Sequence, residues 1–145
     1  MKIEHVTSEG QLAQLATLEA VCFPEESWSH AELSAFLAAP IREALLLAEQ
    51  DAPVGYVIVT AFDGEVEIER LGIAPTCRGR GLGQTLLSGM CEMLHVERCI
   101  LEVSAHNLPA KRLYARFGFE TFNCRPGYYK GGADALMMEW KRKHE

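Results

Sequence analysis

A mixed α/β fold, one central sheet flanked by helices, is what this sequence predicts, and three features predict it. Apolar runs of period two alternate with amphipathic helical windows in the order β α α β β β α β α β β. Three consecutive strands are joined by tight-turn signals, so they form an antiparallel meander rather than the start of a doubly wound sheet. The 145 residues are 48% hydrophobic, enough for one ordinary core and too short a chain for two comfortable ones; a single domain over residues 1–145 is expected.

The elements follow in order. KIEHV (residues 2–6) reads as a short strand, after which Thr7 or Ser8 caps a helix over GQLAQLATLEAVCF. Leu12, Leu15, Leu18 and Val21 are expected on its buried face. Pro24 breaks the chain, and Ser29 with Glu32 three residues on forms a capping box for a second helix. The segment from Ala44 to Pro75 reads as three strands, with turns at Gln50 to Pro53 and at Asp63-Gly64, the latter a hairpin signal. Its last strand, Val66 to Ile73, runs straight into APTCRGRGLGQTLL (residues 74–87). QTLLSGMCEMLHVER then carries Leu86, Leu87, Met90 and Met93 or Leu94 at helical spacing. CILEVSA is a buried strand, Asn107 to Phe117 a helix closed by Gly118, FETFN a strand, and ADALMMEW a last strand beyond the loop CRPGYYKGG. No repeat, linker or low-complexity tract interrupts the pattern.

Charge and composition narrow the function classes. A formal net charge of −6 argues against nucleic acid as the main ligand, because phosphate binding needs a surplus of Lys and Arg. An acidic surface suits a small metabolite or a basic peptide. The five cysteines are odd in number and contain no C-x-x-C pair, and His5, His30, His95, His106 and His144 show no ligand spacing, so neither a disulfide framework nor a metal is expected. MKIEHVTSEG lacks the apolar segment of a signal peptide and no apolar run approaches a membrane span, which predicts a cytoplasmic protein without a membrane partner.

The chemistry concentrates in RGRGLG (Arg78 to Gly83), which lies where a strand hands over to a helix. Alternating glycines permit positive φ and let successive N–H groups converge on an anion at the positive end of the helix, with two arginines beside them. The residues alone leave open the plainer reading of a tight turn with solvated arginines. A Walker A loop is excluded, since Gln84-Thr85 stands where Lys-Ser/Thr is required. A dinucleotide fingerprint is disfavoured, since its third glycine falls on Gln84 and the motif follows an antiparallel meander.

Together these residues resemble the GNAT superfamily of acetyl-CoA-dependent N-acetyltransferases, whose R/Q-x-x-G-x-G/A signature RGRGLG matches. LEVSAHN (101–107), RLYARFGF (112–119) and GYYKGGADALMM (127–138) look like its RimI/Ard1 group, which acetylates protein N-termini; its bacterial member is the ribosomal-protein-alanine N-acetyltransferase. The resemblance covers almost the whole chain and implies the GNAT fold, a mixed and mostly antiparallel sheet splayed at the acetyl-CoA site. It implies that Arg78, Gly79, Arg80, Gly81, Leu82 and Gly83 hold the pyrophosphate of CoA. Leu71, Gly72 and Ile73 would pair with the pantetheine as an added strand does, on a strand that carries a bulge, and Asn107 is carried over as a further cofactor contact.

The same resemblance implies Glu102 as general base, acting through a water, and Tyr114 as the acid that protonates the departing thiolate. A modest base suffices for an α-amine: at pH 7.5 roughly a third of an N-terminus is unprotonated, against about 0.1% of a lysine side chain. On the acceptor side, Glu25 and Glu26 in FPEESWSH, and Tyr128 and Tyr129 in GYYKGG, are expected to flank the peptide entrance. Two departures from the group stand out: Glu25-Glu26-Ser27 separates Pro24 from Trp28, and Ser104 replaces an arginine common after LEV. The expected activity is therefore acetyl transfer to a protein N-terminal α-amine, a ribosomal protein among the possible acceptors. A small-molecule amine, a lysine side chain, and a non-catalytic CoA-binding module are the alternatives.

Overall fold

A computed structural model describes residues 1–144. Its elements are β1 (Lys2–His5), α1 (Glu9–Cys22), α2 (His30–Leu37), β2 (Arg42–Glu49), β3 (Ala52–Phe62), β4 (Glu65–Ile73), a 3-10 turn (Pro75–Cys77), α3 (Leu82–Met93), β5 (Arg98–Ser104), α4 (Leu108–Phe117), β6 (Glu120–Arg125) and β7 (Ala135–Lys141). The order is the one the sequence predicts, with boundaries moved by a residue or two except at the end of α3. The largest shift is at α3, which starts two residues earlier than QTLL and ends at Met93, where His95 turns into positive φ (50°).

The seven strands form one sheet in the order β1-β2-β3-β4-β5-β7-β6. Every neighbouring pair is antiparallel except β4 and β5. Both turns of the meander place their two central residues at positive φ, Gln50 and Asp51 in one and Asp63 and Gly64 in the other, the conformation whose twist suits a tight hairpin.

Both faces of the sheet centre are covered, so β2 and β3 read as continuous apolar runs rather than alternating ones. Leu45, Leu47, Val57 and Val59 point to α3 and α4, into a core with Leu86, Leu87, Met90 and Phe119. Ala44, Leu46, Tyr56 and Ile58 point the other way, to Leu12, Leu15, Leu18 of α1 and Leu33 of α2. Ser8 and Ser29 each close a full capping box, with Gln11 and Glu32.

One residue of the expected helix face is corrected. Val21 is 50% exposed, and Glu19 is buried in its stead. At about 100° per residue, Val21 lies nine residues from Leu12 and thus half a turn away, whereas Glu19, seven residues on, returns to the same side. Among the described residues no helix is long and apolar enough to cross a membrane, and all five cysteines are free thiols.

Candidate active site

Two features of β4 open the sheet. The β3–β4 register slips between Ile58 and Val59, whose partners are Arg70 and Ile68, so Glu69 is a bulged residue. The parallel ladder to β5 covers Glu65–Ile68 against Arg98–Leu101 and then stops. Leu71, Gly72 and Ile73 are therefore paired on the β3 side only, and their other edge faces open space. Gly72 is required by close approach: a Cβ there would stand 2.7 Å from the ring of Tyr56 and 3.0 Å from Cys22 Sγ.

That open edge borders a cavity of about 540 Å³, lined by Leu71, Gly72 and Ile73 together with the glycine loop and α4. Gly79 and Gly81 have φ of 79° and 78°, and a Cβ at either would meet nothing within 4 Å, so the loop is a left-handed turn beside free space. The first backbone bond of α3 runs from Thr85 N–H to Gly81 C=O (3.2 Å), which leaves the amides of Leu82, Gly83 and Gln84 without helical acceptors. These amides, at the positive end of a twelve-residue helix, are the donors a pyrophosphate needs. The cavity lining carries Arg78, Arg112 and Arg116 and no carboxylate. The residues present thus fit CoA: an anion cradle at one end and an unpaired strand edge for amides at the other.

The two loop arginines part company. Arg78 folds back, its Nε donating to Ile73 C=O at 3.0 Å, and it borders the cavity. Arg80 turns outward into a two-pronged pair with Glu49 (3.2 and 2.5 Å) and does not line the cavity. Asn107 caps α4, its Oδ1 accepting from Ala110 N–H at 3.3 Å, and lines the cavity as well.

A second cavity of about 550 Å³ is lined by β4 and β5, and the two share Phe23, Leu71, Asn107, Ala110 and Tyr114. Tyr114 is held by α4 and packs edge-on against Phe119 (centroids 5.4 Å apart). Its ring is buried, and burial pushes the phenol pKa well above its ordinary value. Among the described residues its hydroxyl has no hydrogen-bond partner, yet no fully buried polar side-chain atom lacks one. The hydroxyl therefore opens onto the junction of the cavities, protonated and free to donate.

Glu102 lines the second cavity only. On β5 the odd residues Cys99, Leu101 and Val103 enter the core, so Glu102 faces the opposite side. Its Oε1 accepts from the Tyr129 hydroxyl at 2.9 Å. Burial and then Glu102 push the Tyr129 pKa up to about 12, which fixes this phenol as the donor. Tyr129 is placed by its own loop, where its N–H donates to Ala133 C=O (3.0 Å) and its C=O accepts from Gly132 N–H (2.9 Å). Glu26 lines the cavity too, whereas Glu25 and Tyr128 do not; Tyr128 is 54% exposed.

Sequence reasoning missed several lining residues. Glu69 on the bulge reaches the second cavity, and partial burial followed by Glu67 raises its carboxyl pKa. A bulge leaves no mark in composition, although the alternation EVEIE did place Glu65, Glu67 and Glu69 on one strand face. Arg112 and Arg116, four residues apart and thus on one helix face, were legible in RLYARF. Among the described residues no group of three or more His, Cys, Asp or Glu is arranged to hold a metal ion.

The comparisons with known proteins agree with this geometry. The chain is 31% identical over 129 residues to N-alpha-acetyltransferase RimI of Mycobacterium tuberculosis, covering 85% of this chain and 82% of the relative. The crystal structure of the ribosomal-protein-S18-alanine N-acetyltransferase from Escherichia coli superposes with a TM-score of 0.84 at 21% identity, covering 99% and 96% of the two chains. An aminoglycoside 6'-N-acetyltransferase solved with coenzyme A superposes with a TM-score of 0.83 at 15% identity over 100% of both chains. The sequence profile of the acetyltransferase (GNAT) family matches residues 12–119. With the open β4 edge, the glycine cradle and these likenesses together, the chain belongs to the GNAT family of acetyltransferases, as a RimI-like N-acetyltransferase.

Proposed function

We propose that residues 1–145 act as one acetyltransferase domain that moves the acetyl group of acetyl-CoA onto the N-terminal α-amine of a protein, with a ribosomal protein as the acceptor. The observation that carries the reading is the meeting of two cavities at Tyr114, one lined by arginines and no carboxylate, the other by Glu26, Glu69 and Glu102 beside Lys130, His106 and an Arg70 already paired with Glu19. A polyanionic cofactor suits the first and a cationic amine the second. The 31% identity to an N-alpha-acetyltransferase supports the α-amine as acceptor.

Acetyl-CoA supplies an activated acyl carbon as a thioester. Arg78, Gly79, Gly81, Leu82 and Gly83 hold its pyrophosphate, and the backbone of Leu71 to Ile73 aligns the pantetheine arm. Glu102, with one oxygen engaged by Tyr129, uses its other to accept the proton of the attacking amine through a water. The Tyr114 hydroxyl gives its proton to the sulfur as the C–S bond breaks and the C–N bond forms. Its raised pKa keeps that proton available across the physiological range.

A panel of peptides, each with a free or a blocked N-terminus and an internal lysine, tests the acceptor. Thiol release is expected with the free forms only. Equal turnover of the blocked forms, with acetyl mapped to lysine, would overturn the α-amine.

A further inference from the structure

Glu19 is the one charged residue that is fully buried among the described residues, and it has no place in the chemistry above. Its Oε1 accepts from the Tyr56 hydroxyl at 2.5 Å. Its Oε2 accepts from Arg70 Nη1 (2.8 Å) and from the backbone N–H of Trp28 (2.8 Å). The Arg70 guanidinium in turn lies 4.4 Å from the ring centroid of Phe23 and 5.1 Å from that of Trp28, and donates to Glu26 C=O at 3.4 Å. One ion pair, rooted in α1 and β4, thus grips the segment between α1 and α2 at Phe23, Glu26 and Trp28.

That segment lines the second cavity together with Glu102 and Tyr129. Phe23 borders both cavities, and Glu26 and Arg70 border the second. The network also reaches the cofactor edge, because Tyr56 pairs with Gly72 across the β3–β4 ladder and packs beneath it. A buried ion pair is weak evidence for stability, since a well-packed apolar replacement is often as stable or more so; what it fixes well is geometry. We propose that Glu19 and Arg70 are positioning residues that hold the Phe23–Trp28 segment as the acceptor-side wall. The proposal rests on the reading that the amine enters through the second cavity.

Arg70→Met strands the buried Glu19 carboxylate, so it is paired with the double variant Glu19→Gln/Arg70→Met, which removes the charge and keeps the volume. The full chain is used throughout. Amide hydrogen exchange of residues 25–28, followed by NMR with CoA bound, is expected to be about tenfold faster or more in both variants. For an alanine-starting peptide, KM is expected to rise about tenfold while KM for acetyl-CoA stays within about twofold, and Arg70→Lys is expected to recover part of the loss. The double variant is expected to melt near the wild-type temperature and still show both effects.

A folded double variant with wild-type exchange at residues 25–28 and wild-type peptide KM would overturn the proposal, whatever its Tm. If Arg70→Met does not fold, the double variant decides alone. If the wild-type protein acetylates no peptide, the α-amine reading fails, and the exchange measurement still decides whether the pair holds the segment.

Discussion

Replacing Tyr114 with Phe isolates one oxygen atom. The ring is buried and meets Phe119 edge-on at 5.4 Å, contacts that Phe retains. The hydroxyl has no partner among the described residues, so its loss orphans no donor or acceptor, and stability should change by less than about 1 kcal/mol. If the hydroxyl is the general acid, its removal should lower kcat about a hundredfold or more, near 2.7 kcal/mol of barrier. KM for acetyl-CoA should hold within about twofold, since the cradle and strand edge are untouched. The assay is thiol release under saturating peptide and acetyl-CoA, with thermal melting of the same preparations. A folded Tyr114→Phe enzyme with kcat within about threefold of wild type would refute the argument that this hydroxyl delivers the proton.

Glu102→Gln keeps an acceptor for Tyr129 and removes the base, so kcat/KM for a free-amine peptide should fall about a hundredfold or more while calorimetric CoA affinity stays unchanged. Gly81→Ala has space for its methyl but must hold φ near 78° at a cost of about 1–2 kcal/mol; weaker CoA binding and a lower Tm are expected, and a variant equal to wild type in both would refute the need for a left-handed turn there. Alkaline stability follows from Tyr56, Tyr114 and Cys99, whose folded-state pKa values are all raised by burial. Such groups bind their protons more tightly when folded, so stability is full below their unfolded values, about 8.5 for the thiol and about 10 for the phenols, and falls as pH climbs above them. Each contributes up to about 1.4 kcal/mol per pH unit in that window, and denaturant unfolding that is flat from pH 8 to 10.5 would contradict the burial argument.

Much of this protein was written in local sequence. Hydrophobic period, the two Ser-capped helix starts, the hairpin at Asp63-Gly64 and the glycine loop all act within a few residues, so the element order and a glycine turn at a helix start were legible before any packing was known. Glu102, Tyr114 and the edge at Leu71 to Ile73 were named from the resemblance to the GNAT superfamily. What tertiary structure decided is what depends on partners far apart in the chain. Arg80 looked equivalent to Arg78 until Glu49, 31 residues away, drew it outward. Val21 gave way to Glu19 in the core because Arg70, Tyr56 and the Trp28 amide converge there to satisfy a carboxylate. The placing of the bulge at Glu69, the end of the β4–β5 ladder at Ile68 and the bond from Tyr129 to Glu102 arise from strand registers across the sheet. Local pattern fixes which backbone conformations form and which residue types stand on each; only the closing of long-range pairs decides which side chains meet, and in this chain that meeting makes two cavities share one tyrosine.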